Sequence, residues 1–390
     1  MRRLFISALI VLVAAFTAGP AAVAQTQAPA AAAHNPLTGE IPIKSEFVLS
    51  TMLQKSWGEG KIPPSAAPDV VGAFRFQCNP GHLLYDDPIV YPGQPGKSHL
   101  HQFFGNLDAD AYSTYRSLRT KGNSTCGGAV NRSGYWQPAM LDGKGNAVRP
   151  IYTTIYYKRR PSSDPVCWDR KHWAYQGKCV PLPNGLKFIF GYDMLTKSAP
   201  TGSFDWICVH KGEPVQQRAF PTLKKLADSG ICQVGMEIWS RGHSPTCWDG
   251  QNLDSPNHRT HVSYAQRDMG SGQPRCDNKH PYVIADFQLS SAYKILPGDD
   301  IRLWSLSSDA MVGKEAGASF HADFFMAWDP DAHAMWEGPD GCIERMLNCS
   351  GGDMGNGLQI IDAWARGDED PHLVPLSSIP NHQMAMAHEH

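Results

Sequence analysis

The sequence predicts a mainly β protein, a single large β-sandwich or jelly-roll-like domain with a few short helices and several disulfides. Three observations support this fold class. Among the 390 residues are 36 glycines and 30 prolines, which are typical of a chain with many turns. Segments rich in β-branched and aromatic residues alternate with these turn residues, and long helical periods are few. Patterned sequence also runs from about residue 70 to about residue 329 with no obvious linker, which favours one domain.

Nine segments have the composition of strands, and they are bounded by turn signals such as "LPGDD" at residues 296–300. The predicted strands are residues 73–78, 151–159, 186–193, 204–209, 233–240, 260–265, 282–290, 301–308 and 318–329. A short helix is predicted over residues 221–230, because Pro221 opens the segment and Gly230 ends it. A second helix is predicted within residues 335–350.

The first 24 residues have the pattern of a secretory signal peptide. Arg2 and Arg3 precede an apolar core, and the small residues "AVA" stand before Gln25. Residues 25–68 are predicted to be a low-complexity spacer with an N-terminal segment, residues 69–335 the main domain, and residues 336–390 a C-terminal extension. No other stretch is long and apolar enough to span a bilayer. We therefore expect a secreted protein, periplasmic or extracellular.

The cysteines agree with export. All ten lie outside the predicted signal peptide, and none forms a C-x-x-C pair of the kind that binds zinc or performs thioredoxin chemistry. An even count in an exported chain indicates disulfides, although spacing does not determine their connectivity. Three local pairs are candidates: Cys167 with Cys179, Cys247 with Cys276, and Cys342 with Cys349.

The charge balance excludes two classes of partner. The chain has 35 basic and 37 acidic residues and a formal net charge of −2. Nucleic-acid binding requires a basic footprint, so this balance argues against such a function, and it also argues against electrostatic membrane binding. The sequence does not indicate an oligomeric state.

The first candidate site lies in "YDDPIVYPGQPGKSHLHQFFGN", residues 85–106. His99 and His101 are two residues apart, so on a strand their side chains would share one face and could bind one metal ion. The spacing from Gly93 partly resembles the first motif of the cupins, whose glutamate is missing here and whose second motif is absent. The alternative is that both histidines only bond backbone groups. Of the adjacent Asp86 and Asp87, one is predicted to cap a turn and the other to serve the site.

Two further stretches are dense in polar side chains that could carry chemistry. The first, "PTCWDGQNLDSPNHRTHVSY" at residues 245–264, is loop-like, and its Asp and His residues suit metal binding or acid–base catalysis. The alternative is a loop tied by a disulfide, in which the Asp and Asn residues only form turns. In "FHADFF", His321 and Asp323 would share one strand face, either lining the same cleft or forming a structural hydrogen bond.

Together these stretches resemble the DUF1996 family, a domain of unknown function in secreted fungal and bacterial proteins. The resemblance rests on "FRFQC", "DDPIVYPGQPGKSHLHQFFGN", "YWQPAM", "PTCWDGQNLDSPNHRTHVSY" and "FHADFFMAWD", and it covers about residues 72–335. It implies that the characteristic family residues are Asp87, Pro88, His99, His101, Trp136, Cys247, Trp248, Asp249, Asp254, His258 and His261. Such domains resemble modules found beside carbohydrate-binding WSC domains in fungi, which implies a polysaccharide or cell-wall glycan partner.

The predicted function is a secreted polysaccharide-active enzyme, either a hydrolase or a lyase. A hydrolase would use two carboxylates, with Asp249 and Asp254 as first choices and Asp87 and Asp323 next. A lyase would instead use a histidine or tyrosine base, and His99, His101, His258 and His261 are available. The sequence identifies no cofactor beyond a candidate divalent metal ion. The candidate catalytic residues are His99, His101, Asp249, Asp254, His258, His261 and Asp87; the candidate substrate-binding residues are Trp136, Trp248, Tyr264 and Asn252; the candidate metal ligands are His99, His101, His258, His261, His321 and Asp323.

Two alternatives remain open. A non-catalytic glycan-binding module would use the same aromatic residues, with the His and Asp side chains shaping its groove. An extracellular metal-binding protein would hold metal without preference for a glycan. All three functional hypotheses depend on whether the three polar stretches lie close together in the folded protein.

Overall fold

The computed structural model describes residues 37–56, 71–361, 363–364 and 372–380. The predicted signal peptide and most of the predicted spacer lie outside the described residues. The described chain is mainly β, as predicted, and has 24 short strands. In chain order they are β1 Leu53–Lys55, β2 Gly72–Cys78, β3 Leu83–Leu84, β4 His101–Gly105, β5 Gly134–Pro138, β6 Met140–Leu141, β7 Asn146–Val148, β8 Tyr152–Arg159, β9 Lys178–Cys179, β10 Lys187–Gly191, β11 Phe204–His210, β12 Glu213–Phe220, β13 Glu237–His243, β14 Cys247–Trp248, β15 Val262–Ser263, β16 Gln266–Arg267, β17 Pro274–Arg275, β18 Tyr282–Val283, β19 Asp286–Lys294, β20 Ser305–Leu306, β21 His321–Phe325, β22 Asn348–Cys349, β23 Leu358–Ile360 and β24 Leu373–Pro375.

Two sheets contain most of the long strands. The seven-stranded sheet has the order β12-β11-β13-β19-β8-β2-β22, and the five-stranded sheet has the order β10-β21-β5-β4-β3. Apart from the parallel β2–β22 pair, both sheets are antiparallel. Strand β22 lies beyond residue 335, so part of the predicted C-terminal extension packs into the main domain.

The two sheets pack face to face as a sandwich. The ring centroids of Phe287 on β19 and Phe324 on β21 are 4.7 Å apart. Polar groups at this interface are paired: the Tyr135 and Tyr157 hydroxyl oxygens are 2.7 Å apart, and each tyrosine comes from a different sheet. Pairing limits the cost of burying these hydroxyls, while the aromatic rings add apolar surface to the core.

Five short α-helices connect the strands: α1 Tyr115–Thr120, α2 Pro165–Trp168, α3 Leu223–Ser229, α4 Asp309–Val312 and α5 Pro330–Glu337. Helix α3 confirms the prediction for residues 221–230, with Thr222 as its N-cap and Gly230 in the left-handed conformation after it. The prediction for residues 335–350 was wrong in its bounds. Helix α5 begins earlier, because the Asp329 carboxylate caps it and Pro330 occupies its first position, and it ends before Gly338.

All ten cysteines are paired in disulfides. The three predicted pairs are confirmed, and the other two are Cys78–Cys126 and Cys208–Cys232. Five disulfides are typical of a protein from an oxidising compartment.

The strand predictions hold best for the seven-stranded sheet. Within the five-stranded sheet β4 and β5 were not among the nine predicted segments, because every residue of both strands is buried and neither strand alternates apolar and polar residues. Residues 260–265 and 301–308 form only the two-residue strands β15 and β20, and the segment predicted over residues 282–290 is divided between β18 and β19.

Candidate metal centre

The five-stranded sheet places two of the predicted histidines, His101 and His321, at corresponding positions on either side of strand β5. On strand β5, Pro138 is the partner of His101 of β4, and Trp136 is the partner of Asp323 of β21. His321 precedes Asp323 by two residues, so it also lies beside Pro138, on the opposite side of β5. Side chains two residues apart on a strand share a face, and here His101, His321 and Asp323 occupy the face turned away from the seven-stranded sheet.

His99 completes a cluster that we call the histidine centre: His99, His101 and His321. The ring centroid of His99 lies 4.2 Å from that of His101 and 5.0 Å from that of His321, and the latter two are 6.0 Å apart. One ligand nitrogen from each ring lies within 4.8 Å of the others. Three imidazole nitrogens at this spacing can bind a single transition-metal ion.

Hydrogen bonds to backbone carbonyls set the tautomers of two of these rings. Nδ1–H of His101 donates to the carbonyl oxygen of Asp86 at 2.9 Å, and Nδ1–H of His321 donates to that of Ser319 at 2.9 Å. Each Nε2 therefore carries the lone pair. The Nε2 atoms of His99 and His101 are buried and have no hydrogen-bond partner among the described residues. A carbonyl that orients an imidazole through Nδ1 is a common outer contact of metal-binding histidines.

The three histidines are neutral at physiological pH. Burial, and then the neighbouring rings of His101 and His321, lower the pKa of His99 well below its usual range. Burial also lowers the pKa of His101, and burial together with the His101 ring lowers the pKa of His321 to about 3. A metal ion binds the neutral form of imidazole, so these rings need not lose a proton before binding.

Asp323 is the most unusual polar group beside the centre. It is fully buried, and neither carboxyl oxygen has a hydrogen-bond partner among the described residues. Burial, and then the charge of Asp87, raise the pKa of Asp323 well above its usual range, although Arg259 opposes this effect. A buried carboxyl group without a partner raises the free energy of the folded protein, which makes Asp323 a candidate functional residue.

The predicted stretches meet at one cavity of about 300 Å³. Its lining includes His99, Asp87, His258, Arg259, His321 and Asp323, with Tyr91, Met194, Leu195 and Met311 among the residues of its wall. Residues from 85–106, 245–264 and 318–329 thus face one another, which answers the question that the sequence left open. The volume lies at the lower end of the range for small-molecule sites.

Asp254 and His258 form a hydrogen-bonded pair at this cavity. Nδ1–H of His258 donates to a carboxylate oxygen of Asp254 at 2.8 Å, and Nζ of Lys187 lies 3.1 Å from the other oxygen. Although burial raises it, the pKa of Asp254 is lowered overall by the His258 hydrogen bond and by Lys187. The backbone of His258 has a φ of +57°, a conformation that non-glycine residues seldom adopt. The carboxylate orients the ring and leaves Nε2 as its basic nitrogen.

Other predicted residues of the 245–264 stretch have structural roles. Both ring nitrogens of His261 are used, one with the Ser255 hydroxyl and one with the Lys187 carbonyl, so the prediction that His261 is a metal ligand does not fit its contacts. The Asp249 carboxylate accepts from the backbone N–H groups of Gln251 and Asn252 and from the Asn252 side chain, and closes a turn. For these residues the turn-forming alternative describes the contacts.

The aromatic residues predicted to bind substrate do not line this cavity. Trp136 and Trp248 have no exposed surface and therefore offer no ring face to a sugar. Trp136 stacks on Phe103 beneath the site, and Trp248 donates its Nε1–H to the Asn252 carbonyl. Tyr264 donates its hydroxyl to the His243 carbonyl and lines a neighbouring cavity of about 450 Å³.

Arg259 is a site residue that the sequence reasoning missed. It lines both cavities, and its guanidinium donates to the Tyr192 carbonyl at 2.8 Å. Asp87, by contrast, was predicted, and it both caps a turn and lines the cavity, accepting from the N–H groups of Ile89 and Val90 at 2.9 Å. The position of Arg259 between His258 and His261 in "NHRTH" was the available signal.

Comparisons with known proteins agree with the resemblance seen in the sequence. No curated protein and no solved structure matches the chain. In the part of the chain that the structure describes, no helix has the length and apolar character needed to cross a membrane. The model of the family described as "Domain of unknown function (DUF1996)" matches residues 87–328, which include the histidine centre's His99, His101 and His321. The chain therefore belongs to the DUF1996 family.

Proposed function

We propose that this protein is an exported, metal-dependent enzyme that cleaves a polysaccharide. The observation that carries the proposal is the histidine centre, in which three neutral imidazoles converge beside an unpaired buried carboxyl group. Purely structural histidines normally satisfy both ring nitrogens, as His261 does. The histidine centre instead leaves Nε2 of His99 and of His101 without a partner among the described residues, and His99 and His321 line a cavity large enough to admit part of a substrate.

The donor set suits a divalent transition metal. Imidazole nitrogens favour zinc, copper, iron and nickel over calcium or magnesium, which prefer oxygen ligands. When bound, such an ion would supply Lewis-acid polarisation of a substrate or water oxygen. The His101 and His321 rings would hold their positions through the Asp86 and Ser319 carbonyls.

Two side chains near the histidine centre, His258 and Asp323, are suited to act as a base and as an acid. His258, oriented by Asp254, presents a basic nitrogen and can accept a proton. Burial raises the pKa of Asp323 and so favours its protonated form, which can donate a hydrogen bond or a proton. Both side chains line one cavity, where one can accept and the other donate a proton, as acid–base catalysis requires.

This arrangement favours a histidine-based mechanism over a hydrolase that uses Asp249 and Asp254. Asp249 is committed to its turn, and Asp254 is committed to His258 and Lys187. A two-carboxyl hydrolase would have to draw its pair from Asp87, Asp193 and Asp323, the three acids that line the cavity. A lyase would use His258 as the base.

Export and a polysaccharide substrate are supported by other observations. The N-terminal 24 residues have the pattern of a signal peptide, and five disulfides suit an oxidising compartment. The glycan partner rests on the association of similar domains with carbohydrate-binding modules.

The first experiment is the metal content of the purified protein, measured by elemental mass spectrometry. The protein should be untagged and end after Pro380, because the tail contains further histidines that could bind metal. We expect about one equivalent of a transition metal, lost in His101→Ala and retained in His210→Ala, in which the substituted histidine is exposed on β11. Absence of metal from the parent after incubation with each candidate ion would contradict the metal-dependent mechanism.

A second experiment separates an enzyme from the two non-catalytic alternatives. The metal-loaded parent and His258→Asn are incubated with a panel of acidic and neutral polysaccharides, and new reducing ends and unsaturated products are measured. An enzyme should lose turnover in His258→Asn while its metal content is unchanged. Metal binding without turnover of any polysaccharide would favour the extracellular metal-binding alternative.

A further inference from the structure

We propose that residues 165–179, which we call the tryptophan loop, form a second, non-catalytic surface that binds an acidic polysaccharide. This inference goes beyond the proposed function and does not depend on the metal, because the loop contains none of the residues of the histidine centre.

The tryptophan loop exposes two large aromatic side chains. Trp168 is 61% exposed and Trp173 is 66% exposed, whereas six other tryptophans of the described chain are almost completely buried. Isolated apolar residues at a surface are ordinary, but two exposed tryptophans five residues apart on one short loop are not. Indole rings provide wide flat faces that pack against the C–H face of a sugar ring.

The loop is also held in one conformation before any partner binds. Cys167, the neighbour of Trp168, is joined to Cys179 by a disulfide. The Nε1–H of Trp168 donates to the Ser163 carbonyl at 3.1 Å, and the backbone N–H of Gln176 donates to the Val166 carbonyl at 2.9 Å. A surface that is already ordered loses less entropy when it binds.

The charge of the loop indicates an acidic partner. Arg170, Lys171 and Lys178 are exposed, and the only acidic residue of the loop is Asp169, whose carboxylate accepts from the Lys171 backbone N–H. This local positive excess occurs in a chain with a formal net charge of −2. Cationic side chains beside exposed indoles suit a polymer that has both sugar rings and carboxylate or sulfate groups.

A membrane surface is the other partner that combines acidic groups with an affinity for tryptophan, and the loop does not fit it. Membrane-binding segments insert aliphatic side chains next to their aromatic ones. The aliphatic residues here, Val166 and Ala174, are buried in the protein at 5% and 8% exposure. The loop therefore has little to bury in acyl chains beyond the two indoles.

The test measures binding of the full-length protein to polygalacturonate, to neutral hydroxyethylcellulose, and to vesicles of equal parts phosphatidylcholine and phosphatidylglycerol. Isothermal titration and affinity electrophoresis are carried out with and without a chelator. The variants are Trp168→Ala/Trp173→Ala and Arg170→Gln/Lys171→Gln. Tyr112→Ala is the matched control, because Tyr112 is an equally exposed aromatic residue (62%) outside the loop.

We expect the parent and Tyr112→Ala to bind polygalacturonate more tightly than hydroxyethylcellulose, and the double tryptophan variant to bind it about tenfold or more weakly. The charge variant should weaken binding and reduce its salt dependence. Chelation should change neither result, so that failure of the metal proposal would not affect this one. No binding of the acidic polymer, equal binding by the double tryptophan variant, or a preference for the vesicles would overturn the inference.

Discussion

His101 and His261 are both buried histidines, but their ring nitrogens have different partners. His101 donates its Nδ1–H to the Asp86 carbonyl, and its Nε2 has no partner among the described residues, whereas the two ring nitrogens of His261 bond the Ser255 hydroxyl and the Lys187 carbonyl. The carboxyl groups of Asp323 and Asp249 differ in the same way. Neither oxygen of Asp323 has a partner among the described residues, whereas the Asp249 carboxylate accepts three hydrogen bonds. Residues of the same chemical type thus have polar atoms without a partner among the described residues in one region, and hydrogen-bonded polar atoms in the other.

This difference shows which buried polar groups can gain free energy by binding a ligand. A satisfied polar group contributes to folding and gains nothing by exchanging one partner for another. An orphaned buried group destabilises the folded protein until a ligand satisfies it. The histidine centre is therefore expected to gain stability from metal, and residues 245–264 are expected to be indifferent to it, apart from His258 at the cavity.

The largest expected effect is at the centre itself. His321→Ala should lose the bound metal, and with it the stabilisation that metal gives the parent, about 4 kcal/mol when free metal exceeds its Kd a thousandfold. Thermal unfolding of the parent and the variant, each with and without a chelator, measures this difference. A chelator should lower the Tm of the parent and leave that of the variant unchanged; a parent insensitive to chelation would remove the contrast between the two regions.

His261→Ala should show the opposite behaviour. The substitution removes two hydrogen bonds and leaves a small cavity, so we expect the free energy of unfolding to fall by about 2–3 kcal/mol. Metal content should remain that of the parent, since His261 is outside the histidine centre and both its ring nitrogens are hydrogen-bonded. Urea unfolding combined with elemental analysis provides both values, and loss of metal from a folded His261→Ala protein would place His261 in the centre after all.

A smaller effect is expected for Asp249→Ala. The carboxylate closes an exposed turn, and its loss should reduce the free energy of unfolding by about 1 kcal/mol. Turnover and metal content should not change. The same urea unfolding series measures the stability, and a large loss of activity at unchanged stability would restore Asp249 to the catalytic residues predicted from the sequence.

The smallest effect on stability is expected for Asp254→Asn, at less than about 1 kcal/mol because the carboxylate is partly exposed. The pKa of Asp254 is lowered in the folded protein, so its contribution is present above the usual pKa of an aspartate and is lost as the pH falls through the folded-state value. The variant should therefore lose less stability than the parent below about pH 4. Turnover should fall much more than stability, because His258 is no longer oriented; equal turnover would contradict the role of the pair.

Much of the fold was predictable because its signals are local. Turn residues between aromatic and β-branched segments identified most strands of the seven-stranded sheet, and short separations identified three disulfides. The short strand β5 was not identified, since all its residues are buried and the alternation that reports a half-buried strand is absent. This omission matters for the site, because β5 separates the strands that carry His101 and His321.

Residues two apart on an extended chain point to the same face, so the sequence alone predicts that His99 and His101 share a face, and likewise His321 and Asp323. It could not choose among His258, His261 and His321 as the third histidine. That choice depends on the register of β4 and β21 against β5, which places His321 beside His101, and on the turn that supplies His261 with partners for both nitrogens. Only the fold determines which histidine joins His99 and His101, because the groups that bond each ring nitrogen are distant in the sequence.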